Sequence, residues 1–368
     1  MNKIATLCLM FLSISCAKQS VVDETPTENR EIFTAQQQVK KHPGDAAAIH
    51  KLGVLYYKSA EYQKALKLLT KADQLSPRNA RTLCYLGLTY EALNKTVEAL
   101  AVYSRDIQLP ADTLSGKWLA GRQIYLQREQ TKLQALRQLK GRGNAGDFDF
   151  NKHGVLITPF NFHGADPQYS FLGRGMIEWV SHTLRQVPQL QLVEQIQVRT
   201  VTNELQKRMA MLQTEQNFVR LLGKIFSAKT VLSGGFNVLN GRQIVFDVAY
   251  WDVTSDEIPH SHTYTGKLTE LSSLKNELIN GILKQAHIEI ADHVYAQLIS
   301  KRSPTLPAFI AFSAGVSKED SGDYREALVF YEKALEIDPG IPAGKSKIDM
   351  LKKLLLSRED PDRLILRE

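Results

Sequence analysis

An internal self-similarity near the N-terminal end constrains this chain more than any other feature. Leu52 recurs as Leu86, Gly53 as Gly87, Tyr56 as Tyr90 and Ala65 as Ala99, all at one and the same spacing. A repeat period of this size calls for one supersecondary unit per repeat, stacked so that neighbours bury what a single unit cannot. The residue types agree with two antiparallel helices per unit. Gly53 and Gly87 lack side chains, so one helix can approach the next closely. Ala65 and Ala99 return that closeness from the other side. Tyr56 and Tyr90 fill the gap between successive units, and Pro77 ends a helix that it cannot continue.

In this register Leu52, Gly53, Tyr56, Ala65, Leu69, Ala72 and Pro77 resemble the signature of the tetratricopeptide repeat. Leu86, Gly87, Tyr90, Ala99 and Tyr103 resemble it again, so that two repeats cover 46–111. Asp106 stands where a small residue is usual, and the closing proline, Pro110, comes one place early. The pattern extends both ways. Glu28 to Lys40 reads as a lone second helix closed by Pro43. Ala120-Gly121, one further period after Leu86-Gly87, opens a degenerate third repeat whose second helix is expected over Thr131 to Leu139. A further copy lies at 308–341, carried by Ala314-Gly315, Ala327, Tyr331, Ala334 and Pro339. One repeat cannot bury its own apolar face. This copy therefore needs a capping helix, supplied by Ile348, Leu351, Leu354 and Leu355, and a neighbour elsewhere in the chain or on a partner. The resemblance implies protein binding in the concave groove, where His50, Tyr57, Arg81, Glu91, Trp118, Arg122 and Tyr125 take the ligand-facing places. Aromatic and Arg side chains make good anchors in such a groove.

The texture changes after Gly141, Gly143 and Gly146, which read as a linker. Val155 to Phe160 and Leu190 to Val193 predict strands, and Leu172, Met176, Val180 and Leu184 form the inward face of a helix between them. Ile196 to Phe226 is a charged helical stretch. Thr230–Leu239 and Arg242–Val253 are strands joined by Asn240-Gly241, a type I′ hairpin signal. His260 to Leu268 adds an edge strand, and Leu271 to Ile299 is helical again. This order, with Leu172-Gly173-Arg174-Gly175, Leu221-Leu222-Gly223-Lys224 and Gly234-Gly235-Phe236, resembles the domain shared by the curli-secretion lipoprotein family (CsgG), a flagellar outer-membrane lipoprotein (FlgO) and the TolB N-terminal domain. The resemblance implies a bacterial envelope protein. The expected fold is multidomain α + α/β: a helical-repeat array at 29–140, an α/β sandwich with a mixed sheet at 150–300, and a C-terminal repeat with its capping helix at 305–358.

The N-terminal residues read as a targeting segment. Lys3 precedes an apolar run from Ile4 to Leu12, too short for a membrane span of ~20 residues but long enough for a signal peptide over 1–15. Leu12-Ser13-Ile14-Ser15-Cys16 resembles a lipobox, which implies cleavage before Cys16 and acylation there, with 16–28 as a flexible tether. By the same resemblance, Ala17 after the cysteine favours the outer membrane, facing the periplasm. Charge adds little. The 368 residues carry a net +7, spread along the chain without a basic tract of the kind that tracks nucleic-acid phosphates, so no nucleic-acid partner is expected.

No catalytic set stands out. The chain lacks the nucleophile elbow, zinc-protease and phosphate-loop motifs. Gly173-Arg174-Gly175 reads as a tight helix entry, His260-Ser261-His262 as a solvated edge, and Cys84 as a small buried apolar residue. The chain is thus expected to be a membrane-anchored envelope lipoprotein acting as an adaptor for protein or peptide partners, with no enzyme activity, metal or cofactor. The rivals are a component of a curli-like secretion or surface-appendage assembly system, a regulator of cell-wall synthesis enzymes, and a hydrolytic enzyme.

Overall fold

The computed structural model describes residues 26–110, 113–141, 149–207, 214–299 and 302–365. The targeting segment, Cys16 and most of the linker lie outside them. The chain is mostly helical with one mixed sheet, and it divides into two compact units at Lys95/Thr96. That division falls between the two helices of the second repeat, and the units are described in turn.

The first unit holds α1 (Pro26–Lys41), α2 (Ala46–Lys58), α3 (Tyr62–Leu75) and α4 (Ala80–Ala92). α1 begins inside the span expected to be tether. The Asp45 carboxylate accepts from the Ala47 and Ala48 N–H groups, and Asn79 accepts from Thr82 N–H. These two caps, one repeat period apart, satisfy donors that a helix start leaves unpaired. A β-carbon on Gly53 would sit 2.8 Å from Leu69 Cγ, so glycine is what lets α2 lie against α3. Ala65, Leu69 and Ala72 are buried on the α3 side of that contact.

The second unit opens with α5 (Thr96–Tyr103), a short 3₁₀ turn, and α6 (Leu114–Gly141). Here the structure corrects the sequence reading. Residues 114–141 are one helix of 28 residues, not a third helical hairpin. No Gly, Pro or Asn interrupts it between Gly121 and Gly141, where the turn of a hairpin would fall, and it packs against several elements from later in the chain. The α/β part follows as β1 (Asn151–Ile157), β2 (Asn161–Phe162), α7 (Leu172–Leu184), β3 (Gln191–Leu192), α8 (Gln195–Gln206), α9 (Glu215–Phe226), β4 (Ala228–Leu239), β5 (Gln243–Asp252), β6 (His260–Lys267), α10 (Leu271–Gln285) and α11 (Asp292–Leu298). The strand order is β3-β1-β4-β5-β6, with β2 also paired to β4. β1 pairs in parallel with β3 and β4, while β4-β5 and β5-β6 are antiparallel. Asn240 and Gly241 both have positive φ, 52° and 62°, as a type I′ turn requires. The helical stretch expected from Leu271 to Ile299 is broken, with His287 in the left-handed region at φ 52°.

Helices cover both sheet faces. Ile157, Leu232, Phe246 and Tyr250 pack with α7 and α10 on one side. Leu156, Val231, Trp251 and Val253 pack on the other with α8, α9 and Ala135 of α6. The chain then closes with α12 (Leu306–Asp320), α13 (Tyr324–Ile337), α14 (Gly344–Leu356) and α15 (Pro361–Ile365). α12 and α13 form the C-terminal repeat. It packs on α7 of the α/β part through α12, and the helix that follows it, α14, packs on α6.

Candidate protein-interaction surfaces

The repeats share a local geometry that can be followed residue by residue. A β-carbon on Gly315 would meet Tyr331 Cδ1 at 2.7 Å, the same close approach as Gly53 to Leu69. The turn between paired helices is left-handed each time: Ala60 at φ 57°, Asn94 at 57° and Gly322 at 82°. These three positions are equivalent in the register. Asn94 and Gly322 are residue types that favour such a turn, whereas Ala60 gives no sign of it in sequence.

In the first unit α2 and α4 present an aromatic face. Tyr57 meets Tyr85 edge-on with centroids 5.5 Å apart, and Tyr57 also tilts against Tyr62 at 5.7 Å. His50 stands edge-on to Tyr85 at 6.2 Å and its Nδ1 lies 3.1 Å from Thr82 Oγ1. Tyr85 is buried, while His50, Tyr57, Arg81 and Glu91 are half-buried. Thus His50 and Tyr57 are brought together around Tyr85, a residue the sequence reading did not single out. Its signal was available: Tyr85 lies one turn after Arg81, on the same side of helix α4.

The three candidates on α6 belong to the second unit. Trp118 is 1% exposed, stacks edge-on to Tyr103 at 5.9 Å, and its Nε1 donates to Glu359 O at 2.9 Å. It is a packing residue, and its assignment to a ligand groove is corrected. Arg122 lies over the Tyr125 ring at 4.8 Å, both half-buried. On the same helix, a β-carbon on Gly121 would sit 1.9 Å from Lys353 O. The repeat-like glycine therefore serves contact with α14 and not with a helix of its own hairpin.

The C-terminal repeat is held by a buried ionic cluster that the sequence reading missed. Lys347 Nζ lies 2.9 Å from Glu178 Oε1 and 3.0 Å from Glu319 Oε2. Arg128 Nη1 reaches Glu319 Oε1 at 2.9 Å, and Tyr331 Oη donates to Glu319 Oε2 at 2.8 Å. Beside them Asp320 takes Arg174 Nη1 at 2.8 Å and Arg199 Nε at 2.9 Å. These charges come from α6, α7, α8, α12 and α14, with the Tyr331 hydroxyl from α13. Burial alone would raise the Glu319 carboxyl, but Lys347 and Arg128 outweigh it and bring it down to about 2. Burial wins at Asp320, whose carboxyl is raised despite Arg199 and Arg174. Gly175 of the Gly-Arg-Gly entry lies against Ser313, and Arg174 holds Asp320, so that motif is structural here.

A polar cleft of about 790 Å³ opens on the half of the sheet that α8 and α9 leave bare. Ser233, Asp247, Ser261 and Thr263 line it, with Glu215 at the start of α9 and His163 over Gly235. Ser233 donates to Glu215 at 2.9 Å and accepts from Trp251 Nε1 at 2.8 Å, and Thr263 donates to Asp247 at 2.7 Å. Ser233 is thus committed to a relay ending on a carboxylate, not set against an imidazole. Lys275, whose amine burial lowers to about 8, donates to Leu298 O at 2.9 Å at the end of α11. Among the described residues no three His, Cys, Asp or Glu gather as a metal site, and no helix is long and apolar enough to cross a membrane.

A family model described as tetratricopeptide repeat matches residues 46–79 and 310–341, that is α2-α3 and α12-α13. On that match the chain carries tetratricopeptide repeats at two separated places, the class of element that generally mediates contact between proteins. None of the curated proteins matches the chain. Among solved structures it is similar to a tetratricopeptide repeat protein from Parabacteroides merdae, at 12% identity over 88% of this chain and 92% of that one, with a TM-score of 0.27.

Proposed function

We propose that this chain is a lipid-anchored adaptor of a bacterial cell envelope, which takes a protein or peptide partner on the α2/α4 face of its N-terminal repeats. The observation that carries the reading is the His50–Tyr57–Tyr85 cluster, with two of its three rings half-open. Rigid aromatic groups flanked by Arg81 and Glu91 form the kind of anchor on which binding energy concentrates. The α/β domain, with its resemblance to the curli-secretion family, serves as a rigid base. The Leu12–Cys16 motif supports the anchor. The site is tested by placing a photo-crosslinking residue at position 57 and, as a control, at position 329 of α13, in intact bacteria. A partner captured from 57 and not from 329 is the expected result, and equal capture from both sinks the assignment. The anchor is tested separately: Cys16→Ser abolishes incorporation of labelled fatty acid and membrane fractionation.

A further inference from the structure

The two edges of the sheet are protected very unequally. β3 is two residues long and offers little backbone to another strand. β6 is eight residues long, and among the described residues nothing pairs with its outer side. Its register with β5 runs unbroken from Gln243–Lys267 to Tyr250–His260, so no bulge twists it away. Pro259 precedes the strand and Lys267 ends it, with no proline and no charged residue but histidine between. Such an edge is a template for another strand unless a partner covers it.

The alternation of an antiparallel ladder says which groups face outward. Leu268 N–H donates to Arg242 O at 2.9 Å, so the even-numbered residues bond β5. The N–H and C=O groups of Ser261, Thr263, Thr265 and Lys267 point away from the sheet. We propose that a second copy of this chain covers this edge, its β6 antiparallel to the first with Thr263 opposite Thr263 on the dyad. Ser261 then faces Thr265 of the second copy, and His262 faces Tyr264, with odd residues bonded to odd as the outward groups require.

The charges favour this direction of pairing. Glu257 is exposed just before β6, beside Asp256, which Arg220 holds, and Lys267, which reaches Glu270, is exposed at the far end. Antiparallel pairing brings Glu257 of one copy to the lysine end of the other, whereas a parallel partner would set Glu257 beside Glu257 and Lys267 beside Lys267. Ile258, 92% exposed, comes to the same place, beside the Lys267–Leu268 end of the second copy. Ser261 and Thr263 line the polar cleft on the odd-numbered face, so the dyad sets the two clefts side by side and each continues the other's wall of hydroxyls.

Sedimentation of the full chain, in density-matched detergent over a dilution series, tests the proposal. A reversible dimer is expected. Thr263→Pro removes two outward hydrogen bonds per dimer without touching the β5 ladder, and it should weaken the dimer at least about tenfold. Thr263→Cys should form a disulfide-linked dimer on mild oxidation, because residues facing each other as a bonded antiparallel pair lie ~5.5 Å apart. The parent chain and Thr254→Cys, off the edge, should not. A parent chain that stays monomeric at every concentration, a proline variant that dimerises like the parent, or a cysteine variant that does not link overturns the idea. Should the proline disturb the strand, the cysteine variant decides alone.

Discussion

The N-terminal and C-terminal repeats use one local geometry for opposite ends. Gly53 against Leu69 and Gly315 against Tyr331 are the same contact, and Ala60 and Gly322 make the same left-handed turn. Yet α2 and α4 keep His50 and Tyr57 half-open, while α12 is spent on contact with α7 and on carrying Glu319 and Asp320 inward. The difference lies in two adjacent carboxylates at the end of one helix. A repeat that places Glu319 and Asp320 beside Lys347, Arg128, Arg174 and Arg199 has become a clamp. The first repeat has Tyr57 and Lys58 at the equivalent places and keeps a surface.

Breaking the clamp should have the largest effect. Glu319→Ala leaves Arg128 without its carboxylate and Lys347 with Glu178 alone, which costs about 3 kcal/mol. Chemical denaturation followed by circular dichroism should show that loss, and a change below about 1 kcal/mol would mean that the cluster does not hold the repeat.

Acid should loosen the same clamp without mutation. Glu319 is held at about 2 against an ordinary 4.5, so its contribution is complete above about pH 4.5 and is lost as pH falls towards 2. The size is roughly 3 kcal/mol. Glu178, also lowered, acts in the same direction, whereas raised Asp320 opposes it. Lys347 is raised, so its part persists through neutral pH and fades only in strong base. Thermal melts from pH 7 down to 2.5 should fall below pH 4.5, and Glu319→Gln should flatten that fall. An unchanged slope in the variant would assign the acid sensitivity elsewhere.

The glycines give a finer comparison. Gly121→Ala drives a β-carbon to within 1.9 Å of the Lys353 backbone oxygen, which cannot move without α14. Gly53→Ala meets a Leu69 side chain at 2.8 Å, which can turn. Overpacking of the first kind should cost about 2–3 kcal/mol and of the second about 1. Equal melting shifts would show that α14 is no more rigidly placed than Leu69.

What could be read in sequence follows from which forces are local. The repeat period, the Asn240-Gly241 turn and the alternation of Ile244, Phe246, Val248 and Tyr250 are local signals, and each corresponds to an element found. The long α6 defeats the same reasoning because Ala120-Gly121 obeys the repeat register, while the surface it meets, at Lys353, lies near the other end of the sequence. Trp118 fails as a groove residue for the same reason, since Glu359 and Tyr103 fill its surroundings. The ionic cluster leaves no mark at all. Glu178, Glu319 and Lys347 look like ordinary helix-surface charges until the fold brings their helices together.

The smallest effect on stability belongs to the residues with the largest expected effect on function. Tyr57→Ala removes one half-buried ring and its contacts to Tyr62 and Tyr85, which should cost the fold no more than about 1 kcal/mol. On the α2/α4 face the same change should abolish co-purification of the partner that crosslinking at position 57 identifies. Arg81→Glu, on α4, should weaken that co-purification, whereas Arg122→Glu on α6 should leave it intact, because Arg122 is placed over Tyr125 in the other unit. If Arg122→Glu proved as damaging as Arg81→Glu, the binding face would extend beyond the N-terminal repeats. The contrast between an open repeat and a clamped one would then describe stability alone.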